Sequence, residues 1–374
     1  KLPSPRGAKG GLGVRASCPN RKMPKPPRGQ RQAPAPVIYM FAQGNIAGVD
    51  IHRDYLQAAL IANDGYLLQA SRYPRTRAGI EMLARALKAY GCSCVVMEST
   101  GHFWVYPYYE LAALVPEAKI VLANPFSTRA YRKKTDELDA ERIARQGLAG
   151  NVIVSHLPDT HRLYGFRQLC RSRVRLARER AKFANRIKKV YDMCGLRVKS
   201  VREARRRLDE LPFAYKVQAE VFLQAYDSLT EAMRKLEKAI VGEARELFGE
   251  LYDILQSVPG VGPLLAAVIL AETVDFGRFR SADHYKSYCG LAPRLRESAG
   301  KARLGRCVKG NPYLRWAFYI AAVRGMRSDK GLKAFYERLV GRGKHGKAAL
   351  IAVAAKLAKR VWVVGKGRVR YRPG

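Results

Sequence analysis

Between Ile46 and Leu148 the spacing of apolar residues changes several times, and each change fixes what backbone can lie there. The stretch GVDIHRDYLQAALIANDGYLLQASRYP carries short apolar runs interleaved with polar positions, the pattern of half-buried strands. Its Asn63-Asp64-Gly65 step is a hairpin signal, because glycine supplies the positive φ that tight turns need. Together these residues read as strand, strand, turn, strand. GIEMLARALKAYG then has helical spacing and a glycine stop at Gly91. CSCVVMEST reads as a short apolar strand, FWVYPYYELAALV as a helix with Pro107 near its first turn, KIVLANP as a buried strand and KTDELDAERIARQGL as a further helix. Three strands followed by alternating helices and strands predict an α/β domain with a mixed sheet over 44–150.

The flanking segments differ in kind. Residues 1–43 are dominated by Pro, Gly, Lys and Arg, and acids are absent from 1–36. Such a composition cannot bury enough surface to fold alone and reads as a basic disordered arm. The chain opens without Met, while Met23 and Met40 lie downstream, so residues 1–39 are expected to precede the native start. Residues 151–253 are helical by period, strongly basic at first and mixed in charge later, which predicts long antiparallel helices or a coiled coil linking the domains. A bland spacer and a dimerising, nucleic-acid-gripping element both fit that pattern. Residues 254–365 open with VPGVGPLLAAVIL, read as a helix-hairpin-helix-like turn. A Gly/Arg-rich segment and two apolar helices follow, in a mainly α-helical domain, and 366–374 is a basic tail.

Charge narrows the function. The 69 Lys and Arg against 31 Asp and Glu give a formal net charge of +38. That field opposes folding and is of no use to an enzyme of small metabolites. A polyanion relieves it, and nucleic acid is the natural one, since each neutralised phosphate releases counterions. No apolar run nears the roughly 18 residues of a membrane span and no secretory signal opens the chain, so a soluble, cytoplasmic protein is expected. Seven cysteines without a CxxC pair argue against a disulfide framework or a zinc site; Cys92 and Cys94 read as buried core thiols.

Four carboxylates fall where an α/β domain could gather them. Asp50 interrupts the first strand on the face opposite Val49 and Ile51. Glu98 ends the strand CVVMEST, and Asp136 and Asp139 share one face of a helix. Hard oxygen ligands suit Mg²⁺ or Mn²⁺, and two such ions can clamp both oxygens of a phosphodiester displacement. Singly, each acid is as easily a cap or an ion-pair partner. His52 follows Asp50 by two residues and points the same way; a place near the metal and a structural role are both open.

GVDIH, MESTG, LANP and KTDELDA, in this order, resemble the RuvC-like DEDD domain of the bridge-RNA-guided insertion-sequence transposases. The resemblance implies an RNase H-like fold and carries metal-binding, catalytic roles onto Asp50, Glu98, Asp136 and Asp139. In that family the first Asp lies close to the amino terminus, in keeping with a start at Met40. YCGLAPRLRESAGKARLGRCVKGNPYLRWAFYIAA is similar to the family's carboxy-terminal serine transposase domain. There a serine is the nucleophile, and the matching position is Ser298. The family has Gly directly after that Ser; here Ala299 intervenes, and Ser281 and Ser287 are the fallback positions. The resemblance further implies a covalent phosphoserine–DNA intermediate, donor and target DNA and a structured guide RNA as partners, and a dimer or tetramer. Arg294, Arg296, Lys301, Arg303, Arg306 and Lys309 surround Ser298, and Arg315 follows, as candidate nucleic-acid contacts or as a solvated basic loop. Asn311 reads as a site neighbour or as a helix cap. Two rival readings stay open: a RuvC-like nuclease using activated water, and a basic binding protein without chemistry. A tyrosine nucleophile, among 20 Tyr, would need no acidic metal site.

Overall fold

The computed structural model describes residues 44–98, 101–124, 135–298, 301–307 and 310–372, with backbone alone over 294–298 and 301–306. The expected basic arm, Lys309 and the side chains of Arg294, Arg296, Ser298, Lys301, Arg303 and Arg306 lie outside the described residues. The chain divides between Ser155 and His156 into two compact units.

The first unit holds a five-stranded mixed sheet of order β3-β2-β1-β4-β5. Its strands are β1 (Asn45–Ile51), β2 (Tyr55–Ile61), β3 (Leu67–Pro74), β4 (Cys92–Glu98) and β5 (Lys119–Ala123). β1, β2 and β3 form an antiparallel meander, and β4 and β5 run parallel to β1. The β2–β3 turn forms where NDG predicts it: Gly65 has φ +94° and its N–H donates to Ala62 O at 2.9 Å. Helices α1 (Arg77–Ala89), α2 (Val105–Leu114) and α3 (Asp136–Leu148) complete the unit. Thr76 caps α1, accepting from Gly79 N, and Ile80, Leu83 and Leu87 are its buried stripe. Strands that are apolar on both sides, such as β4, need helices on both faces. α1 and α2 contact each other and cover one face; α3 covers the other.

How closely α3 lies on the sheet is set by glycine. A Cβ on Gly48 would sit 2.2 Å from Ala140 O and 2.3 Å from Ala144 N, so only hydrogen fits between β1 and the helix. Gly147 makes the same concession to Val96. Because Gly147 lies over Ile46 and Ala140 over Gly48, the amino terminus of α3 lies over the Asp50 end of β1. Ile143 of α3 packs with Ile46, Cys94, Val96, Val121, Ala123 and Val152 in one apolar seam.

The second unit takes in both the segment read as a basic linker and the carboxy-terminal helices. Helix α4 (His161–Met193) and helix α6 (Phe213–Phe248) pack side by side, joined through the short α5 (Val201–Arg206) and a 3-10 turn at Leu208–Glu210. Arg162 meets Glu243 and Glu246, Arg173 meets Glu237, and Phe183 meets Phe222, so the pair is antiparallel, as the sequence predicts. α7 (Glu250–Gln256) and α8 (Pro263–Thr273) flank the VPGVG turn. Gly260 there has φ +85°, and a Cβ would stand 2.1 Å from Ala321 O, which requires glycine. α8 is buried from Leu265 to Thr273 and apolar on every side up to Ala271, the mark of a central helix. α4, α6, α7 and α10 (Pro312–Ser328) pack on it. α9 (Ala282–Tyr288), α11 (Lys330–Gly341) and α12 (Gly346–Gly367) complete the unit.

One expectation is corrected. The Gly/Arg-rich segment, to which the sequence assigns no element, forms an antiparallel hairpin, β6 (Pro293–Ser298) with β7 (Lys301–Cys307). Three helices follow it, not two, because Asp329 caps a new helix by accepting from Leu332 N and so breaks the apolar run.

Candidate active site

At the Asp50 end of the sheet the register lays out a polar row. Asp50 pairs with Gln57 on β2, Gln57 pairs with Arg72 on β3, and Val49 pairs with Met97 on β4, which sets Glu98 beside Asp50. Laterally paired residues point to one face. Here it is the face of Gly48, the one α3 covers. Thr135 caps α3, accepting from Leu138 N at 3.4 Å, and the first turn holds Asp136, Glu137 and Asp139. Acids suit a helix start, where the backbone dipole is positive. Tertiary packing thus brings two strand acids and two helix acids to one end of one face.

The side chains are tied together. His52 Nε2 lies 3.1 Å from Asp50 Oδ2 and 3.5 Å from Asp136 Oδ1. Tyr55 donates its hydroxyl to Asp136 Oδ2 at 2.6 Å, and Arg72 approaches the same oxygen at 3.5 Å. The His52 and Tyr55 rings stack at 4.5 Å, and the Arg72 guanidinium lies 4.0 Å above the Tyr55 ring. Arg142 donates to Asp139 Oδ1 at 2.7 Å. One ligand atom each from Asp50, His52 and Asp136 fall within 4.8 Å of one another.

Electrostatics show the acids acting on each other. Burial pushes the Asp50 carboxyl above its ordinary value, His52 pulls it down, and the negative charges of Glu98 and Asp139 push it up again; the net shift is upward. Tyr55 is also raised, chiefly by its hydrogen bond to Asp136. A group of half-buried carboxylates that repel one another, with Arg72 and Arg142 nearby, is a donor set of hard oxygens short of positive charge. That chemistry fits a divalent cation.

Sequence reasoning names Asp50, Glu98, Asp136 and Asp139, and leaves His52 open. It misses Tyr55, Gln57, Arg72 and Arg142. The signal for the first three was their place in a meander whose register was not yet known. Arg142 shared the helix face of Asp139 at i+3.

In the second unit the β6–β7 hairpin pairs Ser298 with Lys301 at the end far from its base. The base is a clasp of two glycines. A Cβ on Gly310 would stand 2.4 Å from Gly290 N, and Asn311 N donates to Tyr288 O at 2.8 Å. Arg315 lies against Gly290, where a Cβ would meet its Nη2 at 2.2 Å. Asn311 does cap α10, accepting from Tyr313 N and Leu314 N, and its Nδ2 donates to Glu272 Oε2 at 2.6 Å. Glu272, 1% exposed, also takes two hydrogen bonds from Arg171, at 2.6 and 2.9 Å. Of the fallback serines, Ser281 is occupied as the α9 cap, accepting from His284 N.

Residues 47–194 match a DEDD transposase family of IS110 type, and residues 252–337 match the transposase IS116/IS110/IS902 family. The two matches together span more than half of the chain. The chain belongs to the IS116/IS110/IS902 transposases. It is therefore a DNA-cutting and rejoining enzyme of insertion sequences. The transposase for insertion sequence element IS1111A of Coxiella burnetii is 27% identical over 353 residues, covering 88% of this chain and 92% of that protein. The pilin gene-inverting protein of Moraxella bovis is 25% identical over 325 residues, covering 83% and 92%. A solved structure of T. thermophilus RuvC in complex with Holliday junction substrate aligns over 30% of this chain and 100% of that chain, with 11% identity and a TM-score of 0.25. No described helix of this transposase is long and apolar enough to cross a membrane.

Proposed function

We propose that this transposase cuts and rejoins DNA through Ser298, assisted by a divalent metal held by a RuvC-like centre of Asp50, Glu98, Asp136 and Asp139, with a structured RNA as guide. The observation that carries the reading is the convergence of Asp50, His52 and Asp136 within 4.8 Å, with Glu98 and Asp139 close enough to raise the Asp50 carboxyl. Mg²⁺ or Mn²⁺ suits these oxygens; when bound it supplies positive charge against the phosphate and the developing alkoxide. Around it the chain's own residues do the positioning. Tyr55 and Arg72 hold one oxygen of Asp136, Arg142 holds Asp139, and His52 bridges Asp50 and Asp136.

The chemistry is an exchange of one phosphodiester for another. The Ser298 Oγ–P bond forms as a P–O bond to deoxyribose breaks; the serine proton passes to water, and the leaving oxygen takes a proton. The phosphoserine keeps the bond energy, so a second DNA end can reverse the step without a cofactor. Arg294, Arg296, Lys301, Arg303, Arg306, Lys309 and Arg315 act on the phosphates near Ser298. Exchange between two duplexes needs more than one site, so the working form is a dimer or tetramer.

Trapping tests the reading. Protein, co-purifying RNA, DNA carrying the element ends and Mg²⁺ are incubated, and a protein–DNA adduct is sought on denaturing gels. Ser298→Ala and Asp50→Asn are each expected to abolish it. An adduct that survives Ser298→Ala overturns the nucleophile, and cleavage to free ends without an adduct favours metal-activated water instead.

A further inference from the structure

One face of α4 is a single row of cations. Arg171, Arg175, Arg178, Lys182, Arg186 and Lys189 are spaced four, three, four, four and three residues apart. On a helix of 3.6 residues per turn they share a stripe about 80° wide and about 27 Å long. Arg171 is half-buried and the other five are exposed. Phe166, Ile187 and Tyr191 are buried on the other side of the helix. Acids do little to balance the row. Arg171 is taken by Glu272 and Lys182 by Glu179; Arg175, Arg178, Arg186 and Lys189 have no carboxylate partner among the described residues. Like charges at three- and four-residue spacing repel and weaken a helix. The rest of the unit supports α4 well enough to bear that cost, which points to an anionic partner rather than to stability.

The row also has a direction. At its amino-terminal end it gathers on Tyr313, in the first turn of α10. Arg171 and Arg178 lie 5.0 and 5.7 Å from that ring, and Arg175 Nε donates to its hydroxyl at 3.1 Å. Two residues before Tyr313 is Asn311, tied through Glu272 to Arg171 and standing at the foot of the β6–β7 hairpin. Both features lie in one unit.

We propose that the α4 stripe is a phosphate track that leads the DNA strand to be cut toward the hairpin bearing Ser298. A regular line of exposed cations next to an aromatic ring suits a polynucleotide backbone. The destination rests on the serine reading above; the track as a DNA contact does not.

The test measures binding of the full chain to a fluorescein-labelled DNA duplex over a range of NaCl concentrations. It compares Arg178→Ala/Arg186→Ala/Lys189→Ala with Arg234→Ala/Lys235→Ala/Lys238→Ala on α6, which removes equal charge elsewhere. Alanine preserves an exposed helix, and an unchanged melting temperature verifies this. The slope of log K against log salt is expected to fall by about 2–3 in the stripe variant, near 0.9 per lost phosphate contact. It should hold in the α6 variant. Equal slopes in the two variants overturn the track. A loss seen only with a structured RNA probe overturns its assignment to DNA. Ser298→Ala should leave the slope intact, so an adduct that survives this substitution would overturn the nucleophile while the binding result stands.

Discussion

Asp136 shows how much of an acidic site is made by residues that are not acids. One of its oxygens receives the Tyr55 hydroxyl at 2.6 Å and faces Arg72, while His52 stands 3.5 Å from the other. Partners that orient a metal ligand commonly tune affinity by tenfold or more. Tyr55→Phe keeps the ring stacked on His52 and removes one hydrogen bond. It should weaken Mn²⁺ binding about tenfold by calorimetry, while leaving stability by denaturant titration little changed. Equal loss of stability and metal affinity would make Tyr55 a structural residue only. The cysteines of β4 behave in the opposite way. Burial pushes Cys92 up to about 11 and Cys94 up to about 12, so neither is a thiolate near neutral pH. In the native protein at pH 8 both should resist iodoacetamide, and react only after unfolding, as peptide mass spectrometry would show. That they are core thiols was legible, because CSCVV is a buried-strand pattern. The four acids were legible as residue types at element ends, but the side chains that hold them were not. Tyr55 and Arg72 are ordinary strand residues until the register of the meander sets them beside Asp136.

At the scale of elements, the site exists because α3 touches β1. Gly48→Ala inserts a methyl where 2.2 Å separates the new carbon from Ala140 O. The helix must lift, at a cost of about 1–3 kcal/mol or more. Its first-turn acids lift with it, so thermal stability and Mn²⁺ binding should fall together. A variant that keeps both would show that the contact is not what sets the acids. In the second unit α11 depends on Asp329, which accepts from Leu332 N at 2.9 Å and pairs with Arg360 at 2.7 Å. Burial alone would raise this carboxyl, but Arg360 and the backbone N–H groups of Leu332 and Gly331 outweigh it and hold it below its ordinary value. A carboxyl held low contributes stability above its unfolded pKa, near 4, and loses it as pH falls through the folded value. Asp329→Asn keeps a good cap and loses the ion pair. It should cost about 1–3 kcal/mol at pH 7, and the gap in melting temperature should narrow below pH 4. The hairpin β6–β7 was the element least legible. RLRES and KARLGRC carry too many charges to read as strands, and the clasp of Gly290 with Gly310 that joins their ends is a contact between distant residues.

For the whole molecule the net charge of +38 sets the terms. Self-repulsion destabilises the compact state, and screening or a bound polyanion relieves it. Melting temperature should therefore rise as NaCl is raised from low concentration, and rise further when duplex DNA is added at low salt, since a ligand of the folded state alone stabilises it by mass action. A melting temperature indifferent to both would mean that the charge is already balanced within the fold. The second unit carries much of this charge, on a frame built around a buried central helix that is apolar up to Ala271.

The sequence by itself determined the local and the chemical. Hydrophobic period dictated the α/β order of the first unit and the long helices of the second, composition pointed to an anionic partner, and the acids with KTDELDA pointed to a divalent metal. These depend on residues close together in the chain or on sums over all of it. Only tertiary structure decided which side chains meet. Strand register put Arg72, Gln57, Asp50 and Glu98 in one row, two glycines let α3 lower its carboxylates onto that row, and Glu272 tied α4 to the foot of the hairpin. Those contacts join residues tens to more than a hundred positions apart, and packing, not local preference, selects them.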